Sequence, residues 1–466
     1  MINNKQKKYR IIKKRISQNN TYFSICKELC LFSKNIRNKA LNIINSHFNT
    51  YKTYTITIEQ AQSLGFTLKS NSHIYYLNVL YHLIKNTTEF RCISQSSNQS
   101  VNTKALKQTL KSVNEEFSSY KNALKAYHIN KNKFKSMPKP PAYRNEKQQY
   151  KITFPSDAIS CNTKKKIISL GNSGLIFPMA HIFFGEKLYE IEINPTRNGY
   201  ELNICIEDNR QFVSIKDINK ISLIDTSSSL VSKPRILSMD LGIKHLATMV
   251  CNDLQGLPES FATMVGTGIN FLNRKTWYRT DKIRSDFNTN VKDSKLLSLH
   301  EDKRNRRIYT MFHTYSKRVV EYCLLHGITK VICGNNPGWK EKVNLGKNTN
   351  RKFYGIAYKK FMNMLNYKLE RHDIDFIVQE ESYTSKCSFI DRESIEKHDV
   401  YLGKRKSRGL FVSNKGIRMN ADINGALNIM RKCLGEDIFH DNRHCYSVLN
   451  PRDILPHVKL IKSLLV

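Results

Sequence analysis

The sequence predicts a multidomain α+β protein: a helical region, then a small β domain, then an α/β domain built on a central hairpin. Three observations predict it. Between Tyr22 and Tyr127 apolar residues recur at helical spacing. From Ile167 to Ile206 the period changes to alternation, broken by Asn198-Gly199, a strong hairpin signal. From Arg235 onward the order is hairpin, helix, strand, helix, strand, helix.

Composition bounds the function. The chain has 466 residues, room for about two to four domains. Apolar residues make up 40% of it, enough to bury real cores rather than leave a disordered polycation. Lys and Arg number 76 against 39 Asp and Glu, a formal charge of +37 spread along the whole length. A folded chain this basic points to a long polyanion as its partner. An anionic membrane surface is the rival, but no long amphipathic basic helix serves it. No apolar run approaches the roughly 18 residues of a membrane span. Met1 to Arg15 is basic with no apolar stretch behind it, so no signal peptide is expected. The cysteines form no CxxC pair and read as reduced intracellular thiols.

Residues 1–19 are basic and weakly apolar, one strand or an arm. A first helix follows from Tyr22 through Ile25, Leu29, Phe32, Ile36, Ala40 and Ile43, and a second covers Ser72 to Lys85. A third is marked by Leu106, Leu110, Val113, Phe117, Tyr120, Leu124 and Tyr127, steps of four and three that suit a helix in a bundle. Its other face carries Lys104, Lys107, Lys111, Lys121 and Lys125; a solvated face and a nucleic-acid contact both account for them. Lys131 to Lys151 is a linker with Pro138, Pro140 and Pro141, and its mixed aromatic and basic residues also suit a strand of stacked bases. Alternating Tyr189, Ile191, Ile193 and Tyr200, Leu202, Ile204, Ile206 then mark a small β domain, expected to be a barrel completed by the N-terminal arm. Thr226 to Ser232 reads as a loop.

The chain is organised around Arg235 to Val250. The apolar run Ile236 to Met239 ends at Asp240, Gly242 turns the chain, and Leu246 to Val250 return. After it come a helix near Asn270 to Asp286 and a long one near Leu297 to His326 bearing Lys303, Arg304, Arg306 and Arg307. A buried strand, Ile328 to Cys333, ends at Gly334. A helix from Tyr358, a strand ending in Glu380-Glu381 and a last helix from Ala421 to Cys433 complete the order, with the tail from Leu434 ambiguous and Pro456 to Leu465 a possible helix. This is the order of a ribonuclease H-like α/β domain, in which acids at strand ends and on the last helix converge. The candidate acids are Asp240, Glu380 or Glu381, and Asp422. A turn aspartate and a helix-dipole aspartate are the ordinary accounts of Asp240 and Asp422. Three carboxylates can instead hold two Mg²⁺ roughly 3.5–4 Å apart, one activating water and one steadying the leaving oxygen of a phosphodiester. No covalent nucleophile stands in a suitable context, which argues against a transposase proper.

Five stretches stand in this order: Asp240-Leu-Gly-Ile-Lys, Gly334-Asn-Asn-Pro-Gly-Trp-Lys, Glu381-Ser-Tyr-Thr-Ser-Lys, Gly403-Lys-Arg-Lys-Ser-Arg-Gly-Leu-Phe and Asn420-Ala-Asp-Ile-Asn-Gly-Ala-Leu-Asn-Ile. Together they resemble TnpB (OrfB), the transposon-encoded RNA-guided nuclease related to type V CRISPR effectors and to Fanzor proteins. The resemblance implies a RuvC-like nuclease domain preceded by a helical recognition lobe and a β-barrel wedge domain. It implies a structured guide RNA, a double-stranded DNA target read by base pairing beside a short flanking motif, and cleavage with Mg²⁺. Asp240 matches the first RuvC acid and Asp422 the third. Gly334 stands where the family carries its second acid. Fanzor-like relatives place a glutamate three residues before Thr-Ser, which matches Glu381 rather than Glu380, and strand alternation sends the two side chains to opposite faces. The catalytic and metal-binding set implied is therefore Asp240, Glu381 and Asp422.

The family's zinc ribbon has two CxxC pairs; here Cys387 stands alone and Ser413 lies near the second pair's place, so no zinc is expected. Phe389, Leu410 and Phe411 are expected to hold that insertion by packing. Cys433, His440, His444 and Cys445 are spaced irregularly and read as polar surface. The basic loop Lys404, Arg405, Lys406 and Arg408 is expected beside the acids, holding substrate phosphates. The implied domains are an N-terminal arm (1–20), a recognition lobe (21–130), linker and wedge (131–233), nuclease domain (234–381 and 419–435) around a zinc-free insertion (382–418), and a tail (436–466). The implied function is RNA-guided DNA endonuclease, the alternative a guide-dependent DNA-binding regulator that does not cut. Its place would be the bacterial cytoplasm, or the nucleus or a viral factory in a eukaryotic or viral setting.

Overall fold

A computed structural model describes residues 9–85, 87, 90, 103–178, 187–224, 234–253, 261–265, 267–286, 294–335, 351, 355–407, 409–439, 443–448 and 452–453. The loop predicted from Thr226 and the helix predicted from Pro456 lie outside them. The chain divides into two compact units, Met1–Arg210 and Gln211–Val466.

In the first unit, β1 (Tyr9–Ser17) leads into α1 (Phe23–Tyr51). A two-stranded ribbon of β2 (Thr55–Ile56) and β3 (Ser72–His73) brackets α2 (Ile58–Ser63), whose start is closed by a Thr57–Gln60 capping box. Then come α3 (Leu77–Ile84) and α4 (Thr103–Ile129). The stripe on α4 is buried at Leu106, Leu110, Val113 and Phe117 and loosens beyond Phe117. Three of the lysines on its other face have protein partners: Lys104 pairs with Asp157 at 2.8 Å, Lys107 lies over Tyr81 and Lys121 over Tyr54. Those contacts satisfy part of the face that sequence left open.

The β region contains β4 (Ile152–Pro155), β5 (Ile159–Asn162), β6 (Ile167–Leu170), β7 (Ile176–Pro178), β8 (Leu188–Thr196) and β9 (Gly199–Glu207). The arm pairs as expected: β1 runs antiparallel along β9 from Tyr9 opposite Glu207 to Ser17 opposite Gly199. The expected barrel is not closed among the described residues. Instead there are a four-stranded sheet in the order β1-β9-β8-β4 and a separate sheet β5-β6-β7. Closure would need β4 to pair on its second side. β4 is four residues long, ends in a proline with no N–H to donate, and packs against α4.

The second unit begins with α5 (Ile215–Ile224), followed by β10 (Ile236–Asp240), β11 (His245–Cys251) and β12 (Phe261–Val265). Next come α6 (Thr267–Asp286), α7 (Lys295–Leu325), β13 (Lys330–Asn335), α8 (Tyr358–Glu370) and β14 (Asp375–Glu380). A small antiparallel sheet of β15 (Lys404–Ser407), β16 (Leu410–Val412) and β17 (Arg418–Asn420) precedes α9 (Ala421–Leu434). The tail supplies β18 (Arg452–Asp453), which pairs parallel with β12.

The main sheet runs β14-β13-β10-β11-β12-β18. β10, β13 and β14 are parallel, and β11 is antiparallel to both its neighbours β10 and β12. Both faces are covered, and the period-two alternation of β10 shows how. Leu237 and Met239 join a core with Phe312 and Val319 of α7 and Phe361 and Leu365 of α8. Ile236 faces the other way, into a core with Ile423, Leu427 and Met430 of α9. Burial on both faces is why β10, β11 and β13 read as continuous apolar runs.

Candidate active site

The parallel strands deliver their carboxyl ends to one edge of the sheet. Asp240 is the last residue of β10, and Glu381 follows the last residue of β14. Asp422 sits in the first turn of α9, where the side chain of Asn420 caps the helix by accepting from the N–H groups of Asp422 (2.9 Å) and Ile423 (3.3 Å). The three acids line one cavity of about 330 Å³ together with His245, Thr248 and Arg405.

Two glycines make the convergence possible. A Cβ on Gly334 would lie 2.6 Å from Glu381 Oε2 and 2.5 Å from Ile429 Cδ1. Glu381 therefore reaches back over β13 through the space left at Gly334. A Cβ on Gly425 would lie 2.7 Å from Asp240 Oδ2, so the Asp240 carboxylate rests against the first turns of α9.

The electrostatics follow from this crowding. Burial, then Glu381 and Asp422, push the Asp240 carboxyl well above the usual range, while Arg405 opposes them. Glu381 is raised to about 7, chiefly by burial and secondarily by Glu380. Glu380 takes a different course. Its burial is outweighed by hydrogen bonds from Lys432 and Ser382, which hold it below the ordinary carboxylate value. Lys432 Nζ lies 2.6 Å from Glu380 Oε2 and also donates to the Ser382 carbonyl at 3.1 Å. The neighbouring glutamates are thus separated: one toward the cavity, the other tied to the far end of α9.

Arg405 Nη2 lies 3.5 Å from Asp422 Oδ1. Lys404 and Lys406 are exposed and do not line the cavity, and Arg408 lies outside the described residues. Sequence reasoning missed the asparagines of α9. Asn424 and Asn428, both fully buried, donate to the Cys387 carbonyl at 2.9 and 2.7 Å; Asn428 also donates to the Thr384 carbonyl at 2.8 Å. They tie the segment after Glu381 to the helix that bears Asp422. Two amides four apart on the apolar side of a helix were the visible signal. Tyr358, also unremarked, donates to the Gly242 carbonyl at 3.0 Å and steadies the hairpin tip.

As a donor set, three carboxylates at one opening fit a hard divalent cation, which takes oxygen ligands and would relieve their mutual repulsion. Among the described residues, no three His, Cys, Asp or Glu side chains already stand in ligand geometry around one point. His440 lies outside the described residues, and Cys445 is exposed. No described helix is long and apolar enough to cross a membrane.

Fold and cavity define a mixed α/β multidomain protein with an acid-lined sheet edge. The comparisons narrow the kind. A family model described as Cas12f1-like, TNB domain, matches residues 358–429, which hold β14, Glu381, the insertion and Asp422. A TnpB-like protein, ORF457 of Acidianus two-tailed virus, is 24% identical over 261 residues, 53% of this chain and 52% of the viral protein. The chain thus spans about half the length of the curated relative it matches. Among solved structures, Cas12f1 in complex with guide RNA and target DNA aligns over 92% of this chain and 100% of its own, at 14% identity and a TM-score of 0.35. AacC2c1 in complex with guide RNA and non-target DNA aligns over 89% and 70%, at 8% identity and a TM-score of 0.38. The family model and the viral relative support a TnpB-like protein.

Proposed function

We propose that this protein is an RNA-guided DNA endonuclease whose second unit is a RuvC-like, ribonuclease H-like nuclease domain. One observation carries the reading: Asp240, Glu381 and Asp422, far apart in sequence, line a single cavity at the carboxyl edge of the sheet. The strand order supports it, since β10 lies beside β13 with β14 beyond. The sequence matches to TnpB-like and Cas12f1-like proteins support this reading, in which a guide RNA and a DNA target are the partners.

In this reading the three carboxylates hold Mg²⁺, two ions in all, and the expected zinc is none. Bound there, Mg²⁺ supplies a polarised water and charge neutralisation at the phosphodiester. The chain's own residues do the rest. Asp240 and Glu381 would hold the cation as carboxylates, its charge offsetting the burial that chiefly raises both. Arg405, beside Asp422 in the cavity lining, would take a non-bridging phosphate oxygen of the substrate. Tyr358 and the α9 asparagines keep the acid-bearing segments in place.

The test is a plasmid-cleavage assay with the RNA that copurifies with the protein and a target matching it. Wild-type protein should cut in Mg²⁺ and not in EDTA. Asp240→Ala should stop cutting while guide-dependent target binding persists. Wild-type protein that binds its target and never cuts would instead be a guide-dependent regulator.

A further inference from the structure

A second site lies away from the acids, in a cleft of about 140 Å³ between α6 and α7. Lys275 and Arg279 enter it from α6, four residues apart. His300, Lys303, Arg304 and Arg307 enter from α7, at steps of three, one and three that put them on one helix face. The two remaining described lining residues are uncharged, so among the described residues no carboxylate lines the cleft. Among the described residues it shares none with the acid-lined cavity.

Arg304 is half-buried in the cleft lining and tightly held. Its Nε donates to Asn273 Oδ1 at 2.6 Å, its Nη2 to the Gly355 carbonyl at 2.7 Å and its Nη1 to Asn305 Oδ1 at 2.9 Å. All three acceptors are neutral, so the guanidinium is fixed in place with its charge intact. Burial holds its pKa below the usual arginine range, with Glu301 opposing, although Glu301 does not line the cleft. Around it, Lys303, Arg279 and Arg307 are exposed, and Lys275 lies over the Phe271 ring. An ordinary solvated face spreads its cations apart. Here two helices aim theirs at one space, which is unfavourable until an anion enters.

We propose that this cleft is a phosphate-binding site for the backbone of an RNA. A walled space of this size takes a phosphate that projects from a bent backbone, as at the turns and loops of a folded RNA. It does not match the even phosphate row of B-form DNA. The proposal rests on the reading of the chain as an RNA-guided nuclease and adds where on its second unit the RNA is held.

The experiment compares binding of a labelled RNA hairpin and a DNA duplex of similar length across a salt series. The proteins are wild type, Arg279→Gln/Arg307→Gln, and a charge-matched control, Lys359→Gln/Lys360→Gln, on the exposed start of α8. Losing the one phosphate held in the cleft should make the log–log salt slope for RNA shallower by about 0.7–0.9. The control and the DNA slopes should stay at the wild-type values. A second pair, Lys275→Gln/Lys303→Gln, should repeat the result, and equal melting temperatures exclude misfolding. An unchanged RNA slope in both pairs overturns the proposal, as does a loss on DNA equal to that on RNA. If wild-type protein itself binds RNA without salt dependence, the RNA-guided reading falls first, and a separate measurement has shown it.

Discussion

At the residue scale, the division of labour between Glu380 and Glu381 is set by their surroundings. Glu381→Gln keeps the shape and removes the charge, so target binding should persist. Cleavage should fall by roughly a hundredfold or more, the equivalent of about 3 kcal/mol of lost transition-state stabilisation. Glu380→Gln breaks a partly exposed ion pair with Lys432 and should cost no more than about 1 kcal/mol, with cleavage little changed. Reversed outcomes would move the role to Glu380. Gly425 offers a sharper test. Alanine in a helix interior ordinarily stabilises by about 1 kcal/mol over glycine. At Gly425 its Cβ would meet Asp240 Oδ2 at 2.7 Å, so Gly425→Ala should hold or raise the melting temperature while cutting activity. The raised acids also set a pH dependence. Glu381 holds its proton in the folded state up to about pH 7, above the unfolded carboxylate value of 4.5. The stability this contributes is present at low pH and lost as pH rises through about 7. Thermal unfolding in EDTA should therefore show a melting temperature that declines over this range. The decline should be smaller in Glu381→Gln, and Mg²⁺ should restore wild-type stability at the alkaline end. A decline identical in the two proteins counts against the placement of Glu381.

At the element scale, the insertion between β14 and β17 shows how a ribbon can be held by hydrogen bonds. Phe389 and Phe411 are fully buried in the core shared with α9, while Leu410 is only half-buried. Two carboxylates tie the loops. Glu393 accepts from the N–H groups of Ser388 at 2.6 Å and Leu402 at 2.8 Å. Asp391 Oδ2 accepts from the Ser388 hydroxyl at 2.6 Å and the Asn414 N–H at 2.8 Å. Arg431 of α9 donates to the Glu393 carbonyl and lies over the Phe389 ring. Glu393 is 5% exposed, so Glu393→Ala leaves two N–H groups short of partners. That should cost about 2–4 kcal/mol in chemical denaturation. A chelator that removes zinc should leave the melting temperature of wild-type protein unchanged, and elemental analysis should find less than one zinc per chain. One tightly held zinc would refute this account of the insertion.

At the scale of the whole molecule, charge dominates. With +37 distributed over the chain, affinity for RNA should fall steeply with salt. If 6–10 phosphates are neutralised, the loss between 50 and 200 mM salt is about 10³–10⁵-fold. A filter-binding series checks this directly; a flat response would mean that the cations serve the fold and not a polyanion. The lysine face of α4 shows that some of them do serve the fold, through Asp157, Tyr81 and Tyr54.

Sequence by itself determined what depends on near neighbours. The hairpin ending at Asp240, the helical stripe of α4 to Phe117, the pairing arm at Tyr9–Ser17 and the first-turn position of Asp422 all follow from period and turn chemistry. The lack of paired thiolates around Cys387 was equally plain. Tertiary structure alone decided what depends on distant partners. Lys432, more than fifty residues on, draws Glu380 away and leaves Glu381 to the cavity. Gly425 matters because an aspartate from another strand rests on it, and Gly334 because a glutamate crosses it. Arg405, unlike Lys404 and Lys406, reaches the acids. Among the described residues the β sheet stays open because β4 ends in a proline and packs on a helix. A periodic pattern reports which face of an element is apolar, whereas a carboxylate's neighbours are set by loops and crossings that no local period encodes.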